Sequence, residues 1–186
     1  NRPTYSIEAI DQIKKEYQLD LSKLKAIDVG AGTGIWTRML TNAGFSYVTA
    51  IEPNSDMLER GKLDSFKTNI KWIKSTAEKI PLKDNCCDFL SMASSFHWTN
   101  FDESTKEFRR LLKPNGVFAA LWNPRYLNHS PLLMDIENQI KVISPNLKRI
   151  SSGTSSFTDK LSNKLKESAH FRSVSFHEFR HSIKMS

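Results

Sequence analysis

Residue types able to do chemistry cluster at three places in this 186-residue chain. At the first, Gly30, Gly32 and Gly34 alternate just after Asp28 and Val29. Alternating glycines behind an apolar run let the backbone turn tightly and bring its N–H groups close to a ligand. At the second, Glu52 lies 22 residues beyond Gly30. A nucleotide-binding βαβ unit presents a carboxylate to ribose hydroxyls at about that separation. Such a carboxylate can accept from both hydroxyls of one ribose, and it repels a 2′-phosphate. At the third, His97 stands between Phe96 and Trp98. Aromatic faces attract a cation and exclude water, and a histidine can take up a proton near neutrality. The same residues could also be a strand-end acid, packing aromatics and a surface histidine.

For these groups to meet, they must sit at the carboxyl ends of parallel strands, where open α/β sheets keep their crevice. Hydrophobic periodicity predicts strands over 25–29, 47–51, 70–74, 87–92 and 117–122. Helical spacing predicts helices from Ile35 to about Ala43, over 56–62 and over 102–112, alternating with those strands. Gly44 is placed to cap the first of these, and Lys113-Pro114-Asn115-Gly116 reads as a sharp turn. An amphipathic helix over 6–19, opened by Ser6 as N-cap, precedes the first strand and carries Ile7, Ile10 and Ile13 on one face. Beyond Trp122 the pattern predicts helices over 131–143 and about 158–169, a flexible Ser/Gly/Thr loop over 151–156, and a strand over 173–183. The fold class is α/β: a Rossmann-like, doubly wound, mostly parallel sheet with helices on both faces. The reading is one domain over 1–186, with a cofactor-binding core at about 20–122 and an acceptor-side region at about 123–186.

With 39% hydrophobic residues, the chain can bury a substantial core. It has no apolar run of the roughly 18 to 20 residues that spans a membrane and no signal-peptide layout at its start, which points to a soluble, cytoplasmic protein. Cys86 and Cys87 are adjacent and lack spaced partners, so they read as free thiols and not as a metal site. His177 and His181 could share a strand face but have no third ligand nearby, so no metal is expected. The net charge of +7 lies mostly toward the C-terminus, scattered as Lys148, Arg149, Lys160, Lys164 and Arg172 among others. Without an arginine-rich tract, this reads as a solvated basic face, and a nucleic-acid partner is the less favoured alternative.

The glycine loop departs from the dinucleotide fingerprint, which wants glycine at its first, third and sixth positions. Counted from Gly30, the sixth position is Ile35, and glycine falls on the fifth, Gly34. The run Asp28-Val-Gly-Ala-Gly-Thr-Gly34 instead resembles motif I of the class I S-adenosylmethionine-dependent methyltransferases, an acid, any residue, then Gly-x-Gly-x-Gly. Phe96-His97-Trp98 and the Leu112-Lys-Pro-x-Gly116 turn resemble later stretches of the same family, as does Arg2-Pro-Thr-Tyr5 before the first helix. The resemblance covers about residues 2–122.

That resemblance implies S-adenosylmethionine as cofactor and a small-molecule methyl acceptor, similar to the trans-aconitate and ubiquinone-pathway branch. Cofactor contacts would come from Asp28, which would orient the ammonium group, and from Gly30, Ala31, Gly32 and Gly34. Glu52 would hold the ribose, with Pro53 turning the chain beside it. Met57, Thr76 and the backbone of Ala77 would edge the adenine, and Ser94 would join the contacts from the fourth strand's end. Thr76 occupies the position where the family commonly has an acid, so any bond to the exocyclic amine would be weaker or come from elsewhere. His97 is the first candidate to accept a proton from the acceptor, and Tyr5 the second. Asn123-Pro-Arg-Tyr126 looks like an amine-binding box but follows the fifth strand, so it reads as a loop on the substrate side. The family fold also implies a final antiparallel strand beyond the last residues of this chain, so either this sequence is part of a longer polypeptide or that strand is missing or supplied otherwise. A nicotinamide-dependent oxidoreductase and a non-catalytic or RNA-associated binding domain remain the alternatives.

Overall fold

The computed structural model describes residues 4–17, 20–124, 130–147 and 155–179. Five strands, β1 (Lys25–Val29), β2 (Tyr47–Ile51), β3 (Ile70–Ile73), β4 (Cys87–Ala93) and β5 (Leu112–Leu121), form a sheet in the order β3-β2-β1-β4-β5. Every pairing is parallel. The chain winds outward from β1 to β3 and then returns to pair β4 on the other side of β1. That reversal leaves a crevice beyond the ends of β1 and β4, where ligands bind in this architecture.

The strands read as nearly continuous apolar runs because both faces of the sheet are covered. Successive side chains point to opposite faces, so Ile27 and Val29 join Ile51, Leu90, Met92 and Phe108 in one core. Ala26 on the other face packs with Trp36, Leu40, Val48 and Phe89. Helices α1 (Glu8–Tyr17) and α2 (Ile35–Asn42) supply the second core through Ile10, Trp36 and Leu40. Helices α3 (Ser55–Asp64) and α4 (Phe101–Leu111) follow β2 and precede β5. Asn54 caps α3 by accepting from the Met57 N–H, and Asn100 caps α4 by accepting from the Asp102 and Glu103 N–H groups. Helix α5 (Pro131–Ile143) starts on a Ser130 cap, and α6 (Ser155–Glu167) sends Leu165 into the first core. No described helix is long and apolar enough to cross a membrane.

The structure differs from expectation in four places. Ser6 does not cap α1 with its side chain; its hydroxyl meets the Glu8 carboxylate instead. Strand β5 begins at Leu112, because Leu112 pairs with Cys87 while Val117 pairs with Phe89. The Lys113–Gly116 turn is therefore a bulge inside the strand, with Asn115 in the left-handed region at φ 64°. Residues 173–179 form no strand, and 180–183 lie outside the described residues, as do Arg2, Arg125 and Tyr126. Of the loop expected over 151–156, Ser155 and Ser156 already belong to α6, and 151–154 lie outside the described residues.

Candidate active site

Three glycines in the loop after β1 are all left-handed, with φ of 67°, 57° and 80° at Gly30, Gly32 and Gly34. Each meets different surroundings. A Cβ on Gly30 would lie 2.6 Å from Ser95 Cβ, and one on Gly34 would lie 2.9 Å from the Trp72 ring. A Cβ on Gly32 would meet nothing within 4 Å. Gly30 and Gly34 thus pack against the protein itself, while Gly32 faces the open side of the crevice.

The loop is braced by β2. The N–H groups of Gly30 and Ala31 donate to the Ile51 carbonyl at 2.8 and 3.0 Å. Glu52, only 5% exposed, accepts the Gly32 N–H on Oε2 at 2.7 Å and the Asn54 N–H on Oε1 at 2.9 Å. Each carboxylate oxygen can accept about two hydrogen bonds. One position on each oxygen therefore remains beyond these bonds, and two neighbouring hydroxyls require that number of acceptors.

Asp28 lies beneath the loop and is fully buried. Its Oδ2 accepts the Thr37 hydroxyl at 2.6 Å, and its Oδ1 has no hydrogen-bond partner. Burial pushes its carboxyl up to about 7; the Thr37 hydroxyl pulls the other way and the Glu52 charge adds to the rise. Thr37 shares Asp28's core position because α2 packs its first turn onto β1.

The opposite wall is built from side chains. Ser94 directly follows β4 in the left-handed region at φ 55°, held by its N–H donating to the Leu121 carbonyl. The Tyr5 hydroxyl donates to Ser94 Oγ at 2.9 Å, and the Tyr5 ring meets Trp36 edge-on at 5.5 Å. Trp36 in turn donates its indole N–H to Ser91 Oγ at 3.0 Å. Asn123 ties down the same N-terminal segment by donating to the Thr4 carbonyl. Ser95 donates to the Val29 carbonyl at 3.0 Å and fills the space beside Gly30. A one-turn helix, Phe96–Trp98, then buries Phe96 in the core and leaves Trp98 82% exposed. Half-buried His97 lies between them, and its Nδ1 accepts the Trp122 indole N–H at 3.3 Å. Burial lowers the His97 pKa below the ordinary imidazole value.

The structure therefore brings together Gly30, Ala31, Gly32, Gly34 and Glu52 on one wall and Tyr5, Ser94 and His97 on the other. Pro53 is exposed beside Glu52. Met57 is 43% exposed on α3, Thr76 is exposed, and Ala77 turns its side chain into the core with Ile80. Sequence reading missed Ser95, Trp72, Thr37 and Trp122. Ser95 and Trp122 border the singled-out stretches, but no spacing signals their partners. The described residues contain no group of three or more His, Cys, Asp or Glu able to hold a metal ion.

Residues 27–120, half of the chain, match the family described as a methyltransferase domain. The chain belongs to that methyltransferase family. Family membership implies S-adenosylmethionine as the cofactor. This methyltransferase domain is 35% identical over 124 residues to an uncharacterized methyltransferase of Mycobacterium tuberculosis, covering 67% of this chain and 48% of that protein. It is also 34% identical over 102 residues to a demethylmenaquinone methyltransferase of Staphylococcus aureus, covering 53% of this chain and 42% of the other. The chain spans about half the length of the curated relatives it matches. A solved S-adenosylmethionine-dependent methyltransferase of Aquifex aeolicus superposes with a TM-score of 0.54 at 25% identity, covering 72% of this chain and 78% of that one. A protein of Methanococcus maripaludis reaches a TM-score of 0.61 at 21% identity, over 86% of this chain and 74% of the other, and shares the fold.

Proposed function

We propose that this chain binds S-adenosylmethionine across the crevice between β1 and β4 and serves methyl transfer to a small organic acceptor. The observation that carries the reading is the carboxylate of Glu52, which braces Gly32 and Asn54 and still has an accepting position on each oxygen. The chain's own features fit the cofactor. Gly32 leaves open space for close approach, Glu52 suits a pair of ribose hydroxyls, and the buried, unpartnered Asp28 Oδ1 favours a nearby positive charge. When bound, the cofactor supplies an electrophilic methyl group on a positively charged sulfur.

Around it, Gly30 through Gly34 would hold the methionine portion by backbone contact, and Glu52 would fix the ribose. Met57, Thr76 and Ala77 stand on the side where adenine would lie. Ser94 would join the cofactor contacts from the end of β4, and Tyr5 and His97 would border the acceptor, keep the reacting groups in line and limit water. The named activity of the Staphylococcus aureus relative supports an acceptor of small-molecule size.

Calorimetric titration with S-adenosylhomocysteine and, separately, with NAD tests this reading. S-adenosylhomocysteine should bind, and Glu52→Ala should weaken it at least tenfold, about 1.4 kcal/mol. Binding of NAD alone would replace the methyltransferase reading with the oxidoreductase one. Binding of neither would favour a non-catalytic interaction role.

A further inference from the structure

His97 is in hydrogen-bond contact with Trp122, and the direction of that bond fixes where the imidazole proton sits. An indole N–H can only donate. His97 Nδ1, 3.3 Å from Trp122 Nε1, is therefore the accepting nitrogen and carries no proton. A neutral imidazole has one N–H, so the proton belongs on Nε2. Protonating the ring would set an Nδ1–H against the indole N–H, two donors facing each other.

The backbone segments that carry the two rings are anchored on both sides. His97 belongs to the one-turn helix anchored by buried Phe96, and the Trp98 N–H donates to the Ser95 carbonyl. Trp122 directly follows β5, whose Leu121 carbonyl accepts the Ser94 N–H. Two adjacent strand ends thus carry the two rings and set them side by side. His97 is also packed against Trp98, with ring centroids 4.8 Å apart.

Resting on the methyltransferase reading above, we propose that Trp122 is a positioning residue that holds His97 as its Nε2–H tautomer, and that His97 is a hydrogen-bond donor to an acceptor oxygen and not a proton-accepting base. The acceptor class this suits carries a carbonyl, enolate or carboxylate oxygen and reaches the site with its nucleophile already deprotonated. In the transfer, a lone pair of that nucleophile forms the new bond to the methyl carbon, and the electron pair of the broken carbon–sulfur bond stays on sulfur. No proton moves, so the occupied Nδ1 is no obstacle. A histidine acting as base would need the lone pair that Trp122 already engages.

The test reads the imidazole nitrogens directly. Long-range proton–nitrogen correlation spectra of histidine-labelled protein at pH 7.5 should show His97 with an unprotonated Nδ1 and a protonated Nε2. The signals are assigned by their loss in His97→Gln. Trp122→Phe should redistribute His97 toward a mixture of tautomers, with the fold checked by the melting temperature. An Nδ1–H tautomer or an imidazolium in the unaltered protein overturns the proposal, whether or not the variant folds.

The donor role is tested by titrating the protein, with and without S-adenosylhomocysteine, with benzoate and with benzylamine. Benzoate should shift the Nε2–H resonance saturably, and benzylamine should not. No response to benzoate, or an equal response to both, overturns the donor role. The tautomer measurement needs no cofactor, so failure of S-adenosylhomocysteine to bind leaves it standing and counts against the methyltransferase reading alone.

Discussion

The two walls of the crevice are built by opposite means. At the ends of β1 and β2, backbone N–H groups and one carboxylate do most of the positioning, and the acceptors of the Gly30, Ala31, Gly32 and Gly34 amides all lie within residues 28–54. At the ends of β4 and β5, side chains do it, and their partners lie far away in sequence: Tyr5 on Ser94, Trp122 on His97, Asn123 on Thr4. A wall of backbone and carboxylate tolerates change only where it is open. A wall of side chains can be rebuilt residue by residue, which suits the part of a site that selects among acceptors.

Substitutions can break that contrast, and the largest effect is expected within the glycine loop. Gly30→Ala combines a left-handed φ with a Cβ 2.6 Å from Ser95. Urea denaturation should show a loss of about 2–5 kcal/mol, the sum of backbone strain and overpacking. Gly32→Ala meets open space and should lose only about 1–2 kcal/mol from its φ. Equal losses at both positions would mean that the loop's open side is not where the structure puts it.

Asp28 gives the next effect, and its sign follows from its raised pKa. The folded protein keeps the Asp28 proton up to about pH 7, whereas the unfolded chain releases it near pH 4. Its contribution to stability is thus complete below about pH 4 and is lost as pH rises through 7, at up to about 1.4 kcal/mol per pH unit. Asp28→Asn should remove that slope, so the variant gains on the parent between pH 5 and pH 8 in melting experiments. A parallel pH dependence in both would show that Asp28 is ionised in the folded protein across this range.

On the side-chain wall the effects should be smaller. Tyr5→Phe removes one hydrogen bond to Ser94 but keeps the edge contact to Trp36. A stability loss of about 1 kcal/mol is expected by denaturant titration. A loss above about 3 kcal/mol would place the N-terminal segment among the core elements and blur the distinction between the walls.

The same contrast governs what the sequence made legible. Strands β1 to β4 stand within one residue of their predicted bounds, and β1 and β4 are the most legible because they are buried almost throughout, which leaves apolar runs between polar turns. The β5 start escaped because a bulge restores pairing upstream of Lys113, and nothing in Pro114 or Gly116 announces it. The strand expected over 173–179 escaped in the other sense, since alternation at Val174 and Phe176 is not matched by strand pairing there. Spacing singled out Glu52 but not its grip on the Gly32 amide. It singled out His97 but carried no trace of Trp122, a pairing made only when β4 and β5 come side by side.

Glu52's grip on the loop also has a kinetic meaning. Because the carboxylate already holds Gly32 and Asn54 at hydrogen-bond distance, a ligand arriving at the loop finds it folded. No segment there has to be ordered at the moment of encounter, so no conformational entropy is lost in that step. Association at this wall is then governed by diffusion and orientation, and affinity differences between ligands should appear chiefly in how long each one stays.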